Sequence, residues 1–126
     1  MKLFLALIIM FSAASPLKDG AALLFSKKSF TFDDTEEGVL LKHKFAFKNN
    51  GNEPLIIDTY KVSCSCTKLI FPKEPILPGQ ESDMTVLFDT NKKYGYQNRI
   101  IEVFSNASKK PIKIRIKVNV IPKGYH

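Results

Sequence analysis

Apolar and polar residues alternate with a period of two along most of the chain. The clearest run is Pro111 to Ile121, where Ile112, Ile114, Ile116, Val118 and Val120 fall in one phase. Lys113, Arg115, Lys117 and Asn119 fall in the other. Successive side chains of a strand point to opposite faces, so this pattern predicts a strand with one buried and one wet face. Gly38 to Lys48 repeats it: Val39, Leu41, His43, Phe45 and Phe47 alternate with Leu40, Lys42, Lys44, Ala46 and Lys48. Shorter strands are expected at Ser29–Asp33, Pro54–Val62, Cys66–Phe71, Asp83–Asp89 and Asn98–Ser105. Helical periodicity is absent from these segments.

Turn-forming residues separate the strands at Asn49 to Asn52, Pro72 to Pro75, Pro78-Gly79, Asn91 to Gly95 and Asn106 to Lys110. About seven short strands at this spacing predict an all-β, Ig-like antiparallel sandwich. Strands joined by short connections run alternately up and down. That alternation sends three segments to one end: the acidic turn Asp33 to Glu37, the Cys64/Cys66 segment, and the basic aromatic loop Asn91 to Tyr96. The opposite end should hold Asn50-Gly51, the proline-rich connection and Lys109-Lys110.

The first residues break the pattern. Lys2 precedes an unbroken apolar run, Leu3 to Phe11, and Ser12-Ala13-Ala14 follows with small side chains. This order reads as a secretory signal peptide cut after Ala14, leaving one domain over residues 15–126. The apolar run is too short to span a bilayer, so no stable membrane insertion is expected once it is removed. The expected location is exported, periplasmic or extracellular.

The length of 126 residues suits one domain, and 44% hydrophobic with 25% charged residues is ordinary globular usage. Removing Lys2 with the leader lowers the net charge from +7 to +6, with 18 bases against 12 acids. Such a balance favours anionic surfaces. Nucleic acid is not an expected partner of an exported chain without a nucleic-acid motif.

Both cysteines lie in the stretch VSCSCTK, as Cys64 and Cys66. In an extended strand their α-carbons would stand about 6.6 Å apart, near the upper limit for a disulfide, so a bridge requires a bend at Ser65. An oxidising compartment favours that bridge. Two thiolates also suit a soft metal ion, but a closed site wants more ligands. His43 lies mid-strand, and His126 sits at the terminus. A nucleophilic thiol would want a base, and none is evident. Plain structural thiols are the leading reading, ahead of a labile disulfide, a metal or redox site, and catalysis. Lys92, Lys93, Tyr94 and Tyr96 form a second candidate, an interaction loop.

The segments FAFKNNGNEPLIID, SCSCT, FPKEPILPGQ, LFDTNKKYG and VFSNA occur in this order. Together they resemble a secreted bacterial domain-of-unknown-function family with the signature N-T-G-N, S-C-G-C-T, P-I-x-P-G and S-N. That family is similar to the Ig-like domains of major sperm protein and of ciliary and centrosomal proteins. The resemblance covers Phe25 to Pro122. It implies an Ig-like sandwich in an exported protein and brings no activity with it. Ser65 departs from the pattern, standing where the family has glycine.

The resulting expectation is an exported binding or scaffolding domain of the cell envelope, with a protein or an envelope polymer as partner. Nothing in the sequence calls for a cofactor, and no acid–base constellation marks an enzyme. The alternative is a thiol redox or copper-handling factor using Cys64 and Cys66.

Overall fold

A computed structural model describes residues 17–124, so the expected leader over residues 1–14 lies outside the described residues. Nine strands form two sheets: β1 Leu23–Phe25, β2 Ser29–Thr31, β3 Thr35–Glu36, β4 Leu40–Asn49, β5 Ile57–Val62, β6 Thr67–Ile70, β7 Glu81–Asp89, β8 Gly95–Ser105 and β9 Ser108–Ile121. One sheet has the order β1-β4-β7-β6. The other has the order β2-β9-β8-β5, with β3 also paired to β9.

The period-two pattern decides which residues are buried. Phe45 and Phe47 of β4 and Met84, Val86 and Phe88 of β7 form one inner layer. Ile101 and Val103 of β8 with Ile114, Ile116, Val118 and Val120 of β9 form the other. Burying each such side chain contributes about 1.5–3 kcal/mol, so these facing rows supply most of the drive to close the sandwich. The outer faces keep the polar phase, with Lys113 and Asn119 exposed on β9.

Two features depart from the expected plan. The sandwich is not wholly antiparallel: β2 and β3 run parallel to β9, Phe30 opposite Ile116 and Thr35 opposite Val120. The acidic stretch expected as a plain turn therefore contains a short edge strand. In addition, β1 pairs antiparallel with β4, Leu23 opposite Asn49, so the chain crosses from one sheet to the other between Phe25 and Ser29. Strands of two or three residues carry too little alternation to show in the sequence.

The end opposite the cysteines is tied by Asn49, which is fully buried. Its amide nitrogen donates to the carbonyls of Glu53 and Ile76, each at 2.8 Å. Its side-chain oxygen accepts from the amides of Gly51 at 2.9 Å and Ala22 at 3.3 Å. Gly51 passes so close to the N-terminal segment that a β-carbon there would lie 1.9 Å from the Gly20 carbonyl oxygen. Any side chain at Gly51 would therefore push that segment away.

Candidate functional site

β4 and β7 pair with Leu40 opposite Asp89, and β6 joins them with Thr67 opposite Phe88. That register sets Cys66 beside Asp89, whose amide donates to the Cys66 carbonyl at 2.9 Å. The loop after Thr90 starts at the same level. Glu37 reaches it too, with its amide on the Ile121 carbonyl, opposite the start of β8. The acidic segment, the cysteines and the basic loop thus share one end of the sandwich. Gly51, Ile76 and the Asn106 turn share the other.

Cys64 and Cys66 are joined in a disulfide, with their α-carbons 5.2 Å apart. This corrects the reading of the pair as free structural thiols. The physical reason is that β5 stops at Val62 and residues 63–66 turn from one sheet to the other. The extended spacing never applies. Ser65 is not among the residues with positive φ, so the turn does not need the left-handed freedom a glycine would supply. The Cys66 amide donates to Cys64 Sγ at 3.2 Å, and Cys66 Sγ lies 3.8 Å from the Thr67 hydroxyl.

Beside the disulfide, the outer face of the four-stranded sheet carries a shallow depression of about 310 Å³, lined by Leu40, Ser65, Cys66, Lys68, Leu87 and Asp89. Leu40 is half exposed there. Among the described residues no group of three or more His, Cys, Asp or Glu side chains is arranged to hold a metal ion. His43 lies elsewhere, stacked on Phe30 with ring centres 3.6 Å apart and edge-on to Phe32 and Phe45. Burial among these rings lowers its pKa from the ordinary 6.5.

The interaction-loop candidates do not form one unit. Lys92 holds a left-handed backbone, φ 58°, within the turn. The Glu37 carboxylate, as hydrogen-bond acceptor first and as a charge second, holds the Tyr94 phenol above its ordinary pKa. Tyr96 belongs to β8 rather than to the loop, and at 64% exposure it stands on the outer face of the five-stranded sheet.

That face is the feature the sequence reading left unassembled. Register places Lys61 opposite Glu102 and Glu102 opposite Lys113. Arg115 has Ile100 and Ser29 across from it, and Lys117 has Asn98 and Thr31. Four cations therefore face outward around one central carboxylate, and the two on the Tyr96 side have no acid across the ladder. The four-stranded sheet is nearer to balance: its outer phase carries Lys42, Lys44, Lys48 and Lys68 with Glu81, Asp83 and Asp89, and Lys48 faces Glu81 directly while Lys42 and Lys44 face Leu87 and Thr85. The signal was present in the polar phase of Pro111 to Ile121, but its significance depends on which strands flank β9.

Arg99 was also missed. Its phase matches Ile101 and Val103, so it points inward, with the guanidinium 5.4 Å from the centre of the Phe88 ring. It donates to the Gln97 side chain, while its Nε is buried without a partner.

Two sheets packed face to face, with edges that switch between them, define an Ig-like β-sandwich. More particularly, the chain belongs to the family described as Protein of unknown function (DUF1573), whose match covers residues 23–120. Comparison with curated proteins finds no significant match.

Solved structures similar to it share the fold at low identity. The PapD-like domain 7 of human CEP192 has a TM-score of 0.63 at 11% identity, over 97% of this chain and 99% of that one. A Porphyromonas gingivalis W83 protein of unknown function has a TM-score of 0.68 at 15% identity, over 87% and 51%. The Vibrio cholerae VesB protease has a TM-score of 0.59 at 13% identity, over 79% and 31%. The chain thus spans about a third of the protease and half of the Porphyromonas protein. Among the described residues no helix is long and apolar enough to cross a membrane.

Proposed function

We propose that this chain is an exported binding or scaffolding domain of the bacterial cell envelope that holds an anionic partner, a protein surface or an envelope polymer. The observation that carries this reading is the outer face of the five-stranded sheet, where Arg115 and Lys117 stand without acids across the ladder beside exposed Tyr96. Arginine and lysine in rows attract carboxylates and phosphates, and a tyrosine adds contact area at small entropic cost. The test is cosedimentation with isolated cell envelopes at low and high salt. The wild-type chain should bind at low salt, the R115E/K117E pair should bind much more weakly, and K44E on the other sheet should bind normally. Equal binding by all three proteins would exclude this face.

A second reading is favoured by the disulfide: the pair acts in thiol–disulfide exchange. Both cysteines are only half-buried and flank an exposed Ser65, with Cys66 packed in part against the core. Copper handling by the same pair needs two free thiols, which the disulfide ties up. Incubation with a dithiol followed by thiol counting tests this reading, which requires two thiols to appear in the folded protein.

A further inference from the structure

Cys64 and Cys66 are chemically alike in the sequence and unlike in the structure. We propose that the disulfide oxidises protein dithiols with a fixed polarity: the incoming thiolate attacks Sγ of Cys66, and Cys64 departs as the thiolate. The inference rests on the thiol-exchange reading above and assigns its two sulfurs, its docking site and its substrate class.

The first support is the hydrogen bond from the Cys66 amide to Cys64 Sγ at 3.2 Å. A donor aimed at sulfur is worth more when that sulfur carries a full charge, so it stabilises Cys64 as the departing thiolate and makes it the better leaving group. Cys66 Sγ has only the longer 3.8 Å contact with the Thr67 hydroxyl, which gives no equal stabilisation.

The second support is position. Cys66 lines the depression on the four-stranded sheet, together with Ser65, Leu40, Leu87, Lys68 and Asp89, and Cys64 does not. A thiolate bound there meets the Cys66 side of the bridge, and Lys68 offers it a cation. The leucines give an apolar floor and Lys68 and Asp89 a rim of opposite charges, a chemistry that fits an extended polypeptide with an apolar residue beside its cysteine. A small hydrophilic thiol would leave Leu40 and Leu87 uncovered.

The exchange balances without further reactants. The substrate thiolate forms a bond to Cys66 Sγ as the Cys64–Cys66 bond breaks, and its electron pair goes to Cys64. The substrate's second thiol, deprotonated by solvent, then attacks the substrate sulfur of the mixed disulfide and releases Cys66 as thiolate. The substrate dithiol has lost two electrons and become a disulfide, and the protein has gained them as two thiols.

The experiment uses the wild-type chain, oxidised and folded, so no variant has to survive. It is mixed with a monothiol peptide carrying leucine on both sides of its cysteine. The reaction is quenched early with excess N-ethylmaleimide at neutral pH, then acidified and mapped by mass spectrometry. Peptide on Cys66 with maleimide on Cys64 should exceed the reverse by roughly tenfold, the ratio a hydrogen bond to a charged sulfur supports. A majority of peptide on Cys64 overturns the polarity and leaves the exchange reading standing. No adduct at either cysteine, under conditions in which glutathione disulfide reacts, overturns both.

In parallel, L87S should slow the leucine peptide by roughly fivefold and leave glutathione unchanged, as lost apolar contact requires. Equal effects on the two thiols overturn the docking site.

Discussion

Asn49 shows how much one side chain holds at the end opposite the disulfide. It is fully buried and makes two donor and two acceptor contacts, joining β4, the Gly51 turn, the Ile76 strand-like bridge and the N-terminal segment. Truncation to alanine leaves the buried Gly51 amide, the Ala22 amide and the Glu53 carbonyl without their side-chain partner, while the Ile76 carbonyl keeps the bond from the Leu55 amide. Each such orphan costs about 1–3 kcal/mol, with partial relief where water enters. Asn49→Ala should therefore lose about 2–4 kcal/mol of unfolding free energy, read from urea denaturation; a loss below about 1 kcal/mol would mean that water replaces the network.

His43 makes the opposite kind of contribution. Its pKa is lowered in the folded state by burial among Phe30, Phe32 and Phe45. The unfolded chain then takes up a proton first as pH falls, and stability rises with pH wherever the unfolded state holds more protons. The contribution is fully present above 6.5, the ordinary value, and is lost as pH falls from there toward the depressed folded value. H43F keeps the ring stack and removes the proton site. Its stability relative to wild type should grow as pH drops from 7.5 to 5, and a constant difference in urea midpoint across that range would disprove the assignment.

At the scale of elements, the crossover from β5 to β6 is where a covalent bond adds least to folding. Cross-linking residues two apart closes a ring so small that the chain-entropy argument gives about 1.6 kcal/mol, against about 3 kcal/mol for a 15-residue loop. The C64S/C66S protein should thus lose no more than about 2 kcal/mol and keep its fold, measured by urea denaturation and circular dichroism. A global loss of structure would make the bridge a staple rather than a reactive group.

The same region shows what was legible beforehand. β4 and β9 carry ten and fourteen residues, long enough for alternation to mark both their existence and their buried faces. β1 and β3 carry three and two, and their pairing depends on partners far along the chain, so no local pattern announces them. The convergence of the cysteines and the Lys92 to Tyr94 turn at one end followed from strand parity alone. The disulfide did not: the strand end at Val62 was expected, but nothing in the local pattern shows that residues 63–66 turn tightly rather than continue extended into the next strand. The basic face was half legible: Lys113, Arg115 and Lys117 were visible as a phase, while the uncharged residues opposite Arg115 and Lys117 were not.

Across the whole molecule, charge is distributed unevenly between two outer faces that are otherwise similar in construction. On the four-stranded sheet Lys42, Lys44, Lys48 and Lys68 share the outer phase with three acids, Glu81, Asp83 and Asp89. On the five-stranded sheet Glu102 is shared between Lys61 and Lys113, and the field of Arg115 and Lys117 extends outward from the face. Such an asymmetry orients a molecule as it approaches an anionic surface and acts chiefly on the association rate, where salt screens it. For binding to immobilised cell-envelope fragments, the association rate should fall by at least about tenfold between 10 and 500 mM salt, with little change in dissociation. The R115E/K117E protein should show a flatter salt dependence while its unfolding free energy stays within about 0.5 kcal/mol of wild type, since both side chains lie outside the core. If salt acted instead on the dissociation rate, equally in both proteins, attraction would reside in contacts made after docking, and the five-stranded face would not be what draws the molecule in.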